Sequence, residues 1–261
     1  MYYTLFALHV SLDISKSITG GISRAATRNG AILIAAYAIV GLGWQVAFNS
    51  LLNQLVSGLN TSGAAVSSST TILSVDLPMS VLAVLAFVFL ILLQYLALVA
   101  TRVFVGGYER SIPNDVLTRN IPLAIVNLFV GGIVYTALFV IGSFVFLIPG
   151  VIAYLAFVFM TFYIAVEDEN FIAALSDSWS LTRGNWIRLL LLFVILFVIA
   201  FALGIVLVIM SFALSFLSQM ASALFSALVF IPLSVLSLGV LAEAFIQLRN
   251  EDSPVASSEA I

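Results

Sequence analysis

The chain has 261 residues, 63% of them hydrophobic and 8% charged, with a formal net charge of −3 and a mean hydropathy of +1.23. A soluble domain is roughly 45–50% apolar and about 25% charged, so this composition excludes a water-soluble globular protein and a basic nucleic-acid-binding surface, and describes a polytopic membrane protein. With no cysteine and a single histidine, His9, the chain lacks the side chains for disulfides, thiol catalysis and Cys or His metal sites, and no cofactor is expected.

The chain opens on "MYYTLFALHV", followed by Asp13 and Lys16. That run is too short and wrongly flanked for a signal peptide. It reads as the lead-in to a surface helix within 1–29, where Ile14, Ile18, Ile22 and Ala25 form an apolar stripe at helical spacing. Six apolar runs follow, at 30–52, 79–101, 122–148, 151–166, 187–210 and 223–247. A crossing helix needs roughly 20 apolar residues. The fourth run is shorter, and Pro149-Gly150 divides it from the third. The turn signal there predicts a tight hairpin. The expected fold is all-α, one membrane domain over 1–261 with six transmembrane helices in three hairpins. A bundle at 30–249 holds an outer loop at 57–78 and a cytoplasmic interfacial helix at 167–185, and a tail at 250–261 follows.

Charge predicts the orientation. With the N-terminus inside and six crossings, all nine basic residues fall on one side. The positive-inside rule then places both termini in the cytoplasm and the protein in the cell membrane. Eight of the nine are arginine, a composition expected of a GC-rich prokaryotic, archaeal genome. Asn60-Thr61-Ser62 fits the glycosylation pattern and is expected outside, although the pattern is common by chance and an unmodified loop is the commoner case.

"TRNG" at 27–30, "TRNI" at 118–121 and "TRGN" at 182–185 each precede a long apolar run. Each closes a short stretch with an apolar stripe; in the third, Phe171, Leu175 and Trp179 recur at helical spacing. Gly or Asn after each Arg accepts the left-handed conformation that ends a helix. Arg28, Arg119 and Arg183, with Arg188 and Trp186, are therefore expected at the inner leaflet, contacting anionic lipid phosphates. Basic residues near an anionic leaflet contribute about 1 kcal/mol each.

The stretch 148–195 carries Pro149-Gly150, Glu167-Asp168-Glu169, Ala174-Leu175, Ser178, Leu181-Thr182, Gly184 and Trp186. It resembles the signature region of a six-helix membrane family that includes the membrane domain of glycerophosphoryl diester phosphodiesterases and related bacterial and archaeal integral membrane proteins. The resemblance implies a six-helix bundle with a cytoplasmic interfacial helix. It implies no activity, because the phosphodiesterase chemistry of that family belongs to a separate soluble domain.

Polar residues inside the spans are few. Gln45, Asn49 and Asn53 share one face of the first span, and Gln94 lies in the second. Such groups serve as helix–helix hydrogen-bonding glue more often than as a substrate path. Glu243 is the only carboxylate inside an expected span, with Arg249 as its nearest basic neighbour in sequence. Glu167, Asp168 and Glu169 could bind a divalent cation; capping the next helix, through Asp168 or Asn170, is the stronger expectation. No reaction is legible. The expected function is a non-enzymatic membrane protein that engages anionic membrane lipid, or a membrane-protein partner or second copy, at the cytoplasmic leaflet. A transporter with a polar path near Gln45, Gln94 and Glu243 is the alternative, and a lipid-modifying enzyme ranks third.

Overall fold

A computed structural model describes residues 12–61, 73–145 and 147–252, and these are mainly helical, with no strand among them. The elements are α1 (Ile14–Ala25), α2 (Arg28–Thr61), α3 (Met79–Val105), α4 (Asn114–Thr118), α5 (Ile121–Val145), α6 (Leu147–Ala156), α7 (Met160–Glu167), α8 (Phe171–Thr182), α9 (Trp186–Ser215) and α10 (Gln219–Asp252). Six helical stretches are long and apolar enough to cross a membrane: α2, α3, α5, the α6–α7 unit, α9 and α10. The protein is multi-pass.

Neighbouring spans pair as three hairpins. In the first, the Ser50 hydroxyl of α2 accepts the Val75 N–H at 2.8 Å near one end, and Asn29 Nδ2 donates to the Tyr108 carbonyl at 2.8 Å near the other. In the second, α5 is followed from end to end by α6 and α7. The Tyr135 hydroxyl donates to the Tyr154 carbonyl at 3.1 Å, and Arg119 Nη2 donates to the Val166 carbonyl at 2.9 Å. In the third, the hydroxyls of Ser211 on α9 and Ser226 on α10 meet at 2.7 Å.

The buried core gathers at one end of the bundle. Leu98, Val103 and Phe104 of α3, Phe159, Met160 and Phe162 to Ala165 of the α7 region, and Ala242, Ala244, Phe245 and Leu248 of α10 are all buried. The Phe245 ring packs against Phe162 and Tyr163, each at 5.3 Å. The two ends of the described chain meet there too, since the Asp13 N–H donates to Gln247 Oε1 at 2.9 Å. At the opposite end α9 leaves Val206, Val208, Ile209 and Phe212 exposed, as expected of a surface that meets lipid rather than water.

Helix α1 starts at an N-cap, Asp13, whose side chain accepts the Lys16 N–H at 3.0 Å. It docks on α10 through Ser17, Gly21 and Ala25, all buried at i, i+4 and i+8. A side chain at Gly21 would overlap the Val240 backbone, and one at Gly239 would lie 2.8 Å from the Gly21 carbonyl. Small residues permit this close crossing. The docking stripe shares only Ala25 with the apolar stripe read from the sequence. Ile14 and Ile18 pack partly against the core, and Ile22 is exposed.

Several boundaries differ from expectation. Helix α2 continues to Thr61, past the expected loop start at 57, so Asn60 lies in its last turn; residues 62–72 of that expected loop lie outside the described residues. Helix α10 runs to Asp252, past the expected start of a tail at 250, and passes through Pro232. The fourth span is interrupted between Ala156 and Met160. His9 lies outside the described residues.

Candidate functional site

The second and third Thr-Arg corners share one backbone geometry. Thr118 and Thr182 each end a helix. Arg119 (φ −63, ψ 120) and Arg183 (φ −60, ψ 124) are extended, and Asn120 (φ 50) and Gly184 (φ 94) are left-handed. The threonine hydroxyls turn back onto their own helices, Thr118 to the Asn114 carbonyl and Thr182 to the Ser178 carbonyl, both at 2.9 Å. The first corner is built otherwise. Thr27 donates to the Arg24 carbonyl at 2.7 Å and accepts the Gly30 N–H at 3.0 Å, so it caps α2. Neither Asn29 nor Gly30 is left-handed; a side chain at Gly30 would overlap the Ala25 carbonyl, so close packing explains this glycine.

These corners open onto a layer of ion pairs. Arg102 lies at the end of α3 with its side chain 3% exposed. Its Nε donates to the Ala165 carbonyl at 2.6 Å, and its Nη1 to the carbonyls of Arg119 at 2.8 Å and Val116 at 3.2 Å. Its Nη2 pairs with Asp168 at 3.0 Å. One guanidinium so ties α3 to α4, the second corner and α7, with its charge matched and its donors used. Asp168 also pairs with Arg119 at 2.8 Å, and Arg119 reaches Asp115 at 3.5 Å. Glu167 pairs with Arg249 at 3.0 Å.

The acidic run therefore does three jobs. Glu167 and Asp168 hold ion pairs, and Asp168 ends α7 in the left-handed region at φ 57. Asn170 is the cap of α8, its side chain accepting the N–H groups of Ile172 and Ala173 at 3.0 and 3.1 Å. Burial, together with the nearby carboxyl of Asp177, pushes the Glu169 pKa up to about 7. Among the described residues no cluster suited to a metal ion occurs.

Glu243 corrects the sequence reading. Its partner is Arg24 of α1, at 2.6 Å, and not Arg249, which pairs with Glu167. Gln45 and Gln94 make no hydrogen bond among the described residues, with each other or with Glu243, and neither lines a cavity that Glu243 lines. Asn49 also makes none, whereas the neighbouring Gln54 donates to the Leu77 carbonyl at 2.6 Å. Asn127 of α5 accepts the Phe171 N–H at 3.3 Å.

Helix α8 repairs the interrupted fourth span. Its buried face is Ala174, Ser178, Leu181 and Thr182; of the apolar stripe read from the sequence, Phe171 and Leu175 are half-buried and Trp179 is exposed. The Ser178 hydroxyl donates to the Ala156 carbonyl at 2.8 Å and accepts the Phe159 N–H at 3.2 Å. Thr182 adds a bond to the same carbonyl at 3.3 Å. Beyond it the Trp179 and Trp186 rings meet edge to face at 5.3 Å. Arg183 and Arg188, on either side of Trp186, are exposed and have no acidic partner among the described residues; Lys16, Arg28 and Arg110 share that state.

The chain belongs to the family described as a domain of unknown function, DUF7847, whose model matches residues 12–248. No curated protein and no solved structure matches it.

Proposed function

We propose that this protein is a non-enzymatic membrane protein that engages anionic lipid at the cytoplasmic leaflet of the cell membrane, with both termini inside. One observation carries the reading. Arg183 and Arg188 are exposed and lack an acidic partner among the described residues, beside the Trp179–Trp186 pair at the α8–α9 corner. Indole rings favour the headgroup level, and a guanidinium with unused donors matches a phosphate in two parallel hydrogen bonds. Arg119 contributes less than expected because Asp168 and Asp115 already hold it. Arg28 keeps only a long contact to the Arg110 carbonyl, at 3.5 Å, and joins the lipid-facing set. The α8–α9 corner lies within the stretch that resembles the six-helix family, whose interfacial helix is expected at the cytoplasmic face.

The test is native mass spectrometry of gently purified protein. Retained phosphatidylglycerol or another anionic lipid, stripped when Arg183 and Arg188 become Gln, supports the reading. Equal retention in the double variant overturns it. A second reading, transport, has one observation in its favour, the interrupted fourth span, since broken helices mark many transporter sites. Here, though, the freed backbone groups are met by Ser178 and Thr182 and do not face a polar path.

A further inference from the structure

A polar cavity of about 240 Å³ lies among α1, the end of α3 with the turn after it, and α10. Its charged walls are Arg24, Glu109 and Glu243. Arg24 is committed to protein partners: Nε and Nη2 donate to Glu243 Oε2 at 3.1 and 2.6 Å, and Nη1 donates to the Phe104 carbonyl. Both bonds to Glu243 fall on one oxygen. The other oxygen, Oε1, accepts no hydrogen bond among the described residues, although the residue is only 7% exposed. Glu109, on the opposite wall, has no basic partner among the described residues. Gly20 makes the arrangement possible, because a side chain there would lie 2.8 Å from Glu243 Cγ.

Glu243 Oε1 has no protein donor among the described residues, and one arginine against two carboxylates leaves the cavity with an excess negative charge. We infer that this cavity binds the ammonium group of a small organic cation, which donates N–H to Glu243 Oε1 and is balanced in charge by Glu109. Arg24 acts as a positioning residue: it holds Oε2 and leaves Oε1 without a protein donor. The site uses none of the lipid-facing arginines, so it stands independently of the proposed lipid engagement. The amine could be a soluble molecule or the headgroup of an aminophospholipid.

The experiment is a titration of the detergent-purified full chain with ethanolamine and, separately, short-chain phosphatidylethanolamine, read by thermal unfolding and native mass spectrometry. Choline, which has no N–H, and KCl at equal ionic strength are the controls. A saturable rise in Tm with either amine, absent from both controls, is expected. Glu109→Gln, at an exposed position, should weaken it about tenfold, as loss of a charge-assisted partner does, and Glu243→Gln should abolish it. Saturation by ethanolamine assigns a soluble amine; saturation by the lipid alone assigns a headgroup. Arg183→Gln with Arg188→Gln should leave it unchanged, which separates this site from the lipid-engaging corner. No saturable effect of either amine, an equal effect of choline or KCl, or wild-type affinity in Glu109→Gln would overturn the inference.

Discussion

Ser178 holds the fourth span together by donating to the Ala156 carbonyl at 2.8 Å, across a gap of 22 residues in sequence. The same hydroxyl takes the Phe159 N–H, so one side chain satisfies two backbone polar groups at the helix break. In an apolar surrounding an unmet backbone group is expensive. Helix α8 is therefore a structural part of the bundle as well as a surface element.

Ser178→Ala should lower stability by about 1–3 kcal/mol, the cost of leaving buried backbone groups unsatisfied. Thermal unfolding in detergent measures it, with exposed Ser180→Ala as the control. Equal midpoints for the two variants would show that the break is satisfied some other way.

Arg102 should tolerate no replacement well. Removing it leaves three carbonyls without their side-chain donor and Asp168 with Arg119 alone, and breaking a buried pair costs roughly 3–5 kcal/mol. Arg102→Lys restores charge but not the fork that reaches Ala165, Arg119 and Asp168 together. Folded yield by size-exclusion chromatography should fall in the order wild type, Arg102→Lys, Arg102→Gln.

The crossing of α1 on α10 makes Gly21→Ala disruptive, since its new methyl group meets the Val240 backbone rather than a movable side chain. Overpacking of this kind costs about 1–3 kcal/mol. Limited trypsin digestion reads the result at Lys16 and Arg24. Cleavage there should speed up in the variant; an unchanged rate would mean that α1 is not held by this contact.

Stability should depend on pH through Glu169. Its carboxyl is raised from 4.5 to about 7 in the folded protein, first by burial and then by Asp177 and Glu167. A carboxyl that holds its proton more tightly when folded stabilises the fold fully below about pH 4.5, and that contribution is lost as pH rises through about 7. Glu169→Gln should flatten the fall in Tm over that interval. A slope identical to wild type would assign the pH dependence elsewhere.

Orientation is directly testable because the chain has no cysteine. A single Cys at Asp76 should react with an impermeant maleimide added to whole cells. One at Arg110 should react only after lysis. The reverse pattern would invert the topology and remove the proposed lipid contact from the cytoplasmic leaflet.

The span count and hairpin order were legible in the sequence, because apolar length is a local signal; the turn expected at Pro149-Gly150 is not there, since both residues lie in the first turn of α6. Also legible were the left-handed Asn120 and Gly184 and the Asn170 cap, each decided within a few residues of chain. The faces of α1 and α8 were not. In a bilayer both lipid and protein core are apolar, so a stripe of isoleucine or phenylalanine does not say which side packs. The sides that pack are Ser17, Gly21 and Ala25, and Ala174, Ser178 and Thr182. Their signal, small residues at spacings of four, lay in the sequence beside the louder apolar stripe.

Local chain chemistry thus determined a basic end, six crossings and the left-handed corners at Asn120 and Gly184. Only the tertiary structure decided which charge meets which: Arg24 with Glu243, Arg102 with Asp168, Glu167 with Arg249. Those partners lie on different helices, far apart in the chain, and become neighbours only when small-residue faces bring their backbones close enough for one carboxylate to choose one guanidinium.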